Sequence, residues 1–145
     1  MKELENRIKI ITGNKKFKIS SKSYYYPIKN LFNEMLSNIV ESKIIEEQIK
    51  RQHYNMKIKL LNLIKELCTN KDFYKLIDDD LPCLKSILDY FEEQKNVEKN
   101  INDFISWIEK WLDNFTIIDT DMNAFYLLNE KFKEYYKLKI EENIQ

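Results

Sequence analysis

A chain of 145 residues, with 24 basic and 24 acidic side chains, is long enough to form one domain with its own hydrophobic core. Its hydrophobic content of 43% argues against global disorder, and its longest apolar runs fall far short of the roughly 18 residues of a membrane span. The first ten residues contain no apolar signal-peptide core, and two cysteines predict reduced thiols. We therefore expect a cytoplasmic protein that makes no membrane contact.

The N-terminal segment is compatible with two structures. Residues 7–20 alternate apolar and basic side chains on both sides of Gly13-Asn14, a dipeptide typical of two-residue hairpin turns. We therefore expect a small β-hairpin within residues 1–22. The alternative is a helix over residues 2–12 that ends at Gly13. Its buried stripe would consist of Leu4, Ile8 and Ile11.

The next part of the chain has the 3.6-residue period of α-helices. Pro27 suits the first turn of a helix that reaches about residue 39. A long helix is predicted over about residues 43–69, and a short helical turn follows near residues 73–77. Asp80 is in position to cap a further helix, with Pro82 in its first turn.

Two helices complete the chain. One begins near Val97, and the other covers about residues 121–141, where Asp119, Thr120 or Asp121 can serve as the cap. The predicted fold class is therefore all-α. We expect a single-domain bundle of five or six helices over residues 27–142, to which the N-terminal hairpin is attached.

No residue pattern predicts catalysis, a metal site or a cofactor. His53, the single histidine, lies on the apolar seam of the long helix, so we interpret it as a hydrogen-bonded core residue. Asp78, Asp79 and Asp80 point in different directions just before a helix, which favours capping and solvation over cation binding. One glycine cannot build a phosphate-binding loop. We expect a protein that is not an enzyme.

The charge is distributed unevenly, although its sum is zero. Residues 1–77 contain 16 basic and 8 acidic side chains, and residues 78–145 contain 8 and 16. Lysine outnumbers arginine 22 to 2, which is typical of a low-GC genome, so lysine content alone does not indicate nucleic-acid binding. One interpretation is that the two halves attract each other within the bundle.

The basic half also supports an alternative function, in which the protein is a small helical subunit of a nucleoprotein complex. Lysines that neutralise phosphates, beside aromatic rings that stack on bases, are typical of single-strand binding. The candidate residues for this contact are Lys9, Lys15, Lys16, Lys18, Lys22, Tyr24 and Tyr25.

The acidic half favours a different function, docking onto another protein that carries basic residues. Residues 78–121 contain 12 acidic side chains and 4 lysines. The candidate partner-binding residues are Glu92, Glu93, Glu98 and Trp107. The sequence thus predicts a non-enzymatic interaction module, such as an inhibitor, immunity or accessory protein of a low-GC bacterium or virus.

The last helix has apolar residues on two faces. Leu127 and Leu138 lie nearly opposite the stripe that contains Leu128 and Phe132. A second apolar face predicts either a central position in the core or an interface with a second copy of this chain or with a partner.

Overall fold

A computed structural model describes residues 2–19, 25–44, 50–115 and 123–141. These ranges contain seven α-helices: α1 (Lys2–Thr12), α2 (Tyr25–Ile44), α3 (Lys50–Thr69), α4 (Tyr74–Asp80), α5 (Pro82–Glu93), α6 (Val97–Asn114) and α7 (Ala124–Tyr136). A 3-10 turn at Lys71–Phe73 precedes α4, and a π-helical turn at Lys137–Glu141 continues α7. Within the same ranges there is no strand, and no helix is both long and apolar enough to cross a lipid bilayer. The all-α prediction is confirmed, but five or six helices is too few.

The predicted N-terminal hairpin is wrong, and the alternative helix is present as α1. Leu4 and Ile8 are fully buried where α1 packs against α3. The N–H of Gly13 donates to the Lys9 carbonyl at 2.8 Å and ends the helix, with Gly13 at a φ of +71°. A two-stranded hairpin is marginal in water, whereas this helix buries its stripe against a neighbour.

The residues expected to form the second strand fold back along α1 without regular structure. Asn14 begins a turn in which its carbonyl accepts from the Phe17 N–H, and the Phe17 ring enters the core. Two residues later, the Ile19 N–H donates to the Glu5 carboxylate at 2.7 Å. The alternating pattern of this segment therefore does not indicate a strand. It corresponds to the buried Phe17 ring and to the Ile19 N–H that is hydrogen-bonded to Glu5.

Three predicted helix boundaries need correction. Residues 43 and 44 belong to α2, α3 begins at Lys50, and residues 45–49 lie outside the described part of the chain. Asp80 does not cap α5. It is the last residue of α4, and its carboxylate lies 2.8 Å from the Lys29 ammonium. Leu81 occupies the cap position without a side-chain hydrogen bond, and Pro82 is in the first turn as predicted.

The cap of the last helix also differs from the prediction. Asn123 caps α7, and its side-chain oxygen accepts from the Tyr126 N–H at 3.2 Å. The three residues proposed for this role, Asp119, Thr120 and Asp121, lie outside the described residues. The helix consequently begins at Ala124 instead of near residue 121.

Buried side chains from all seven helices belong to one hydrophobic cluster. Helix α3 packs against α1, α2 and α6, and α7 packs against α2 and α5. Phe104 of α6 is fully buried, and its ring packs against those of Phe91, Phe132 and Tyr135. This arrangement leaves the end of α5 and the start of α6 at the surface, beside α4.

Candidate partner-binding cleft

A cleft of about 140 Å³ opens between α4, α5, the start of α6 and the end of α3. Its floor is apolar and consists of Cys68, Ile77, Leu88 and Ile101. Its rim carries two exposed apolar groups, Tyr74 and Val97, together with the charged residues Asp78, Lys85, Asp89 and Glu92.

Two short connections bring these helices together. The Leu81 N–H donates to the Ile77 carbonyl at 3.0 Å, and Pro82, which has no N–H to leave unpaired, starts α5 at once. At the other end of α5, Asn96 adopts a left-handed conformation with a φ of +65° and precedes α6 directly. Val97 is thereby placed close to Glu92 at the mouth of the cleft.

A second depression is continuous with the cleft. It shares Cys68, Val97 and Ile101 with the first and is lined beyond them by residues of α3 and α6, including Lys65 and Glu98. The two depressions form one groove, and the start of α6 stands between them.

Some carboxylates of this region are already paired within the molecule. Asp78 lies 3.4 Å from Lys85, and Asp80 pairs with Lys29. Asp89, Glu92, Glu93 and Glu98, which we call the acidic rim, are instead exposed. They form no ion pair with any residue that the structure describes. The three glutamates proposed for partner binding therefore lie along one connection between two helices.

The position of Glu92 and Glu93 is unfavourable for α5 itself. Both are in the last turn, where the helix dipole is negative and where α5 has no basic residue. Each such charge costs about 0.3–1 kcal/mol at an exposed site. Glu98, in contrast, is in the first turn of α6, where negative charge stabilises the helix. Helix stability therefore explains Glu98 but not the other two.

Trp107 does not belong to this groove. Its ring is half-buried against α7, edge-on to Tyr135 with the centroids 5.1 Å apart, and the Lys131 ammonium lies 4.8 Å from the ring centre. The indole thus packs α6 onto α7. The exposed apolar groups at the groove are Tyr74 and Val97, which sequence reasoning missed because their exposure depends on how four helices meet.

The basic candidates are only partly brought together. Lys15, Lys16 and Lys18 are exposed and form no ion pair with the described residues, whereas Lys9 lies 3.9 Å from Glu5. Phe17, which lies between Lys16 and Lys18 in the sequence, is buried and offers no ring for stacking. Of the other candidates, Lys22 and Tyr24 lie outside the described residues, and Tyr25 is the first residue of α2.

Several ion pairs join the basic half of the chain to the acidic half. Lys57 of α3 lies 3.4 Å from Glu109 and 2.8 Å from Asp113, both on α6. Lys29 of α2 and Asp80 of α4 form another such contact. These pairs agree with the interpretation that the two halves attract each other. Some of the excess lysines of the first half are thus paired with some of the excess acidic residues of the second half.

The other candidates for chemistry have structural roles. The half-buried His53 ring has its Nδ1 3.0 Å from the Ile39 carbonyl, which can only accept, so Nδ1–H donates and links α3 to α2. Burial raises the pKa of the Cys68 thiol to about 12, which keeps it protonated and unreactive at neutral pH. No group of three or more His, Cys, Asp or Glu residues within the described ranges could hold a metal ion.

Comparison with known proteins adds no relative. No family model, no curated protein and no solved structure matches this chain.

Proposed function

We propose that this protein is a non-enzymatic interaction module that docks a basic partner protein onto the acidic rim. The observation that supports the proposal is that Asp89, Glu92, Glu93 and Glu98 form no ion pair with the described residues and lie beside an apolar cleft. An inhibitor, immunity or accessory protein of a low-GC bacterium or virus would have this kind of surface.

The physical reason is an electrostatic conflict that a partner would relieve. Glu92 and Glu93 repel each other and the carbonyl end of α5, and no basic residue of the last turn compensates them. Lysines or arginines of a partner would remove this repulsion and would also accelerate association. Exposed charges contribute little to folding, so these residues can be changed without unfolding the protein.

A matched pair of labelled peptides tests this function. The probe is an amphipathic helical peptide of lysine and leucine, and its control has glutamate in place of every lysine. We expect fluorescence anisotropy to show binding of the basic peptide. Its affinity should fall as salt rises from about 50 mM, because salt screens exposed charges. Equal affinity for both peptides, or binding of neither, would overturn the proposal.

Charge-reversal variants locate the contact. Changing Glu92, Glu93 and Glu98 together to lysine should lower the affinity for the basic peptide by about tenfold or more, since three exposed ion pairs of about 0.5 kcal/mol each are lost. The control changes three exposed glutamates elsewhere to lysine and gives the same net charge. Those residues are Glu34, Glu41 and Glu130. Equal weakening by both variants would show attraction to the whole molecule instead of a site.

A second candidate function is binding to nucleic-acid backbones through the basic N-terminal segment. It is favoured by Lys15, Lys16 and Lys18, which follow α1 as exposed lysines without an ion pair to the described residues, and by Tyr26, which is 73% exposed. Lysines of this kind neutralise phosphates, and an exposed ring can stack on a base. This is the same chemistry that the sequence predicts, with Tyr26 as the exposed ring.

Single-stranded RNA and DNA of mixed sequence test this second function. Binding should be measurable at about 50 mM salt and should fall steeply as salt increases, because bound counterions are released. Changing Lys15, Lys16 and Lys18 to glutamate should abolish it. A control variant changes three exposed lysines elsewhere, namely Lys71, Lys75 and Lys110. Absence of binding at low salt would exclude this function.

A further inference from the structure

The cleft is the size of a single large apolar side chain. Its volume of about 140 Å³ is close to that of a cavity of about 150 Å³ that accepts one benzene molecule. The adjoining depression, about 410 Å³ in volume, extends the groove beyond the cleft along α3 and α6. The cleft itself is large enough for a leucine, isoleucine or phenylalanine side chain.

The chemistry of the floor also favours an apolar occupant. Ile77, Leu88 and Ile101 present only hydrocarbon, and the Cys68 thiol is held neutral by burial. Among the described residues, no buried side-chain nitrogen or oxygen lacks a hydrogen-bond partner. The floor therefore offers a ligand no unsatisfied polar side-chain group to bind, so affinity must come from hydrophobic burial.

The charge at the mouth selects which apolar group can enter. Asp89 and Glu92 line the cleft without an ion pair to the described residues, and they would repel an apolar residue that is flanked by acids. Lys85 does not offset them, because its ammonium is 3.4 Å from Asp78. The mouth is therefore complementary to basic residues.

We propose that the cleft is an anchor pocket for one leucine-, isoleucine- or phenylalanine-like side chain from a basic segment of the partner. This inference rests on the proposed docking function and adds its geometry. The anchor side chain contacts the floor, and flanking lysines or arginines contact Asp89 and Glu92. Binding energy at protein interfaces concentrates in such buried anchors, surrounded by charges that select the partner.

Two peptides of equal charge separate the anchor from the electrostatic attraction. The first is a helical peptide of lysine and alanine with one central phenylalanine, and the second replaces that phenylalanine by alanine. We expect the first to bind roughly tenfold to a hundredfold more tightly, which corresponds to burial of one aromatic side chain. Equal, salt-dependent affinity of the two would overturn the anchor pocket and leave the docking function intact. Binding of neither would overturn both.

A cleft-filling variant locates the anchor. Val97 is exposed at the mouth, so Val97→Trp should occupy the cleft, remove the advantage of the phenylalanine peptide and preserve the weaker binding of the alanine peptide. Tyr126→Trp, at an exposed position on α7, is the control and should change neither affinity. An unchanged advantage in Val97→Trp would overturn the assignment to this cleft.

Methyl NMR of the unaltered protein provides an independent measurement if Val97→Trp does not fold. The methyl signals of Ile77, Leu88 and Ile101 should shift on addition of the phenylalanine peptide and not on addition of the alanine peptide. The alternative occupant is a second copy of this chain, through Ile10, which is 82% exposed. The protein would then self-associate, Ile10→Ser would abolish the self-association, and the phenylalanine peptide would inhibit it. That result would overturn the partner segment as the occupant of the cleft and assign the cleft to a second copy of this chain.

Discussion

At the scale of single residues, burial decides how much an ion pair contributes. Lys57 is only 7% exposed, although it carries a full charge. Burial by itself lowers the pKa of Lys57, but the hydrogen bond that Lys57 donates to Asp113 and the charges of Asp113 and Glu109 outweigh it, so the pKa is raised. Its ammonium also lies 5.2 Å from the ring centre of Tyr54. This lysine therefore links α3 to α6 through charge, while its ammonium packs against a ring of its own helix.

The first prediction compares two lysines. Lys57→Ala should lower the free energy of unfolding by about 1–3 kcal/mol, because it removes a buried stem and the ion pairs that Lys57 forms with Glu109 and Asp113. Lys85→Ala should change it by less than about 0.5 kcal/mol, because Lys85 and Asp78 are both about half-exposed. Urea denaturation measures both values. Equal effects would contradict the structural role of Lys57.

The second prediction concerns pH and the pair Arg7–Glu66, which joins α1 to α3. The Arg7 guanidinium contacts the Glu66 carboxylate with two nitrogens, Nε at 2.5 Å and Nη2 at 3.0 Å. The hydrogen bond from Arg7 lowers the pKa of Glu66, against a smaller opposing effect of burial. A depressed pKa in the folded state stabilises the fold above the unfolded value of about 4.3, and this stability is lost as pH falls through the folded value.

Thermal unfolding from pH 7 to pH 2 checks this expectation. The difference in melting temperature between the unaltered protein and Glu66→Gln should be largest at neutral pH and should shrink below about pH 4.3. Arg7→Gln should show the same dependence, because both variants remove the same pair. A difference that is independent of pH would show that Glu66 acts through packing alone.

At the scale of helices and their connections, two residues in left-handed conformations determine where elements end and begin. Gly13 ends α1 with a φ of +71°, and Asn96 precedes α6 with a φ of +65°. Only glycine adopts this region without strain, and asparagine tolerates it better than other residues. Asn96 makes no side-chain capping bond, so no hydrogen bond of this kind compensates the strain.

The third prediction therefore has opposite signs at the two positions. Gly13→Ala should destabilise the protein by about 1 kcal/mol, since the nearest neighbour of the new Cβ is the flexible end of Lys59 and the cost is mainly backbone strain. Asn96→Gly should be neutral or stabilise the protein by up to about 1 kcal/mol. Chemical denaturation measures both. Destabilisation by Asn96→Gly would indicate a role for its side chain.

At the scale of the whole molecule, the helices share one hydrophobic cluster centred on aromatic rings. Phe104 is fully buried, and its ring centroid lies 4.8 Å from that of Tyr135 and 5.3 Å from that of Phe132. A change at this position should therefore affect α5, α6 and α7 together. The prediction of a single domain implies that the rest of the chain unfolds with them.

The fourth prediction is that Phe104→Ala lowers the free energy of unfolding by about 3–5 kcal/mol, as expected for loss of a buried aromatic ring. Tyr126→Ala, at an exposed position on α7, should change it by less than about 0.5 kcal/mol. Tryptophan fluorescence reports α6, and far-UV circular dichroism reports all helices. The two transitions should coincide in both variants. Separate transitions would indicate more than one folding unit.

The N-terminal segment shows where sequence patterns reach their limit. Over residues 7–20 the apolar positions satisfy the period of a strand as well as that of a helix. The structure selects the helix because Leu4 and Ile8 find a buried surface on α3, whereas no further strand is available within the described residues. Long-range burial, absent from a local pattern, decided this element.

The sequence by itself predicted the helices from α2 onward, because the 3.6-residue period of apolar residues indicates a helix and identifies the face that is buried. It predicted that a helix begins near Val97, where the structure has the start of α6. It also located the charge imbalance and the three glutamates of the proposed docking surface. The helical period and the distribution of charge are local properties of the sequence, and they can be recognised without knowledge of the neighbouring helices.

Only the tertiary structure decided which charges are satisfied within the molecule and which apolar groups stay at the surface. Trp107 is covered because α7 packs over it, and Asp80 is neutralised because Lys29 of α2 lies beside it. Asp89 and Glu92 remain unpaired among the described residues, at a cleft that exists only because four helices meet. Pairing and exposure depend on distances between residues far apart in the chain, and a one-dimensional pattern does not contain those distances.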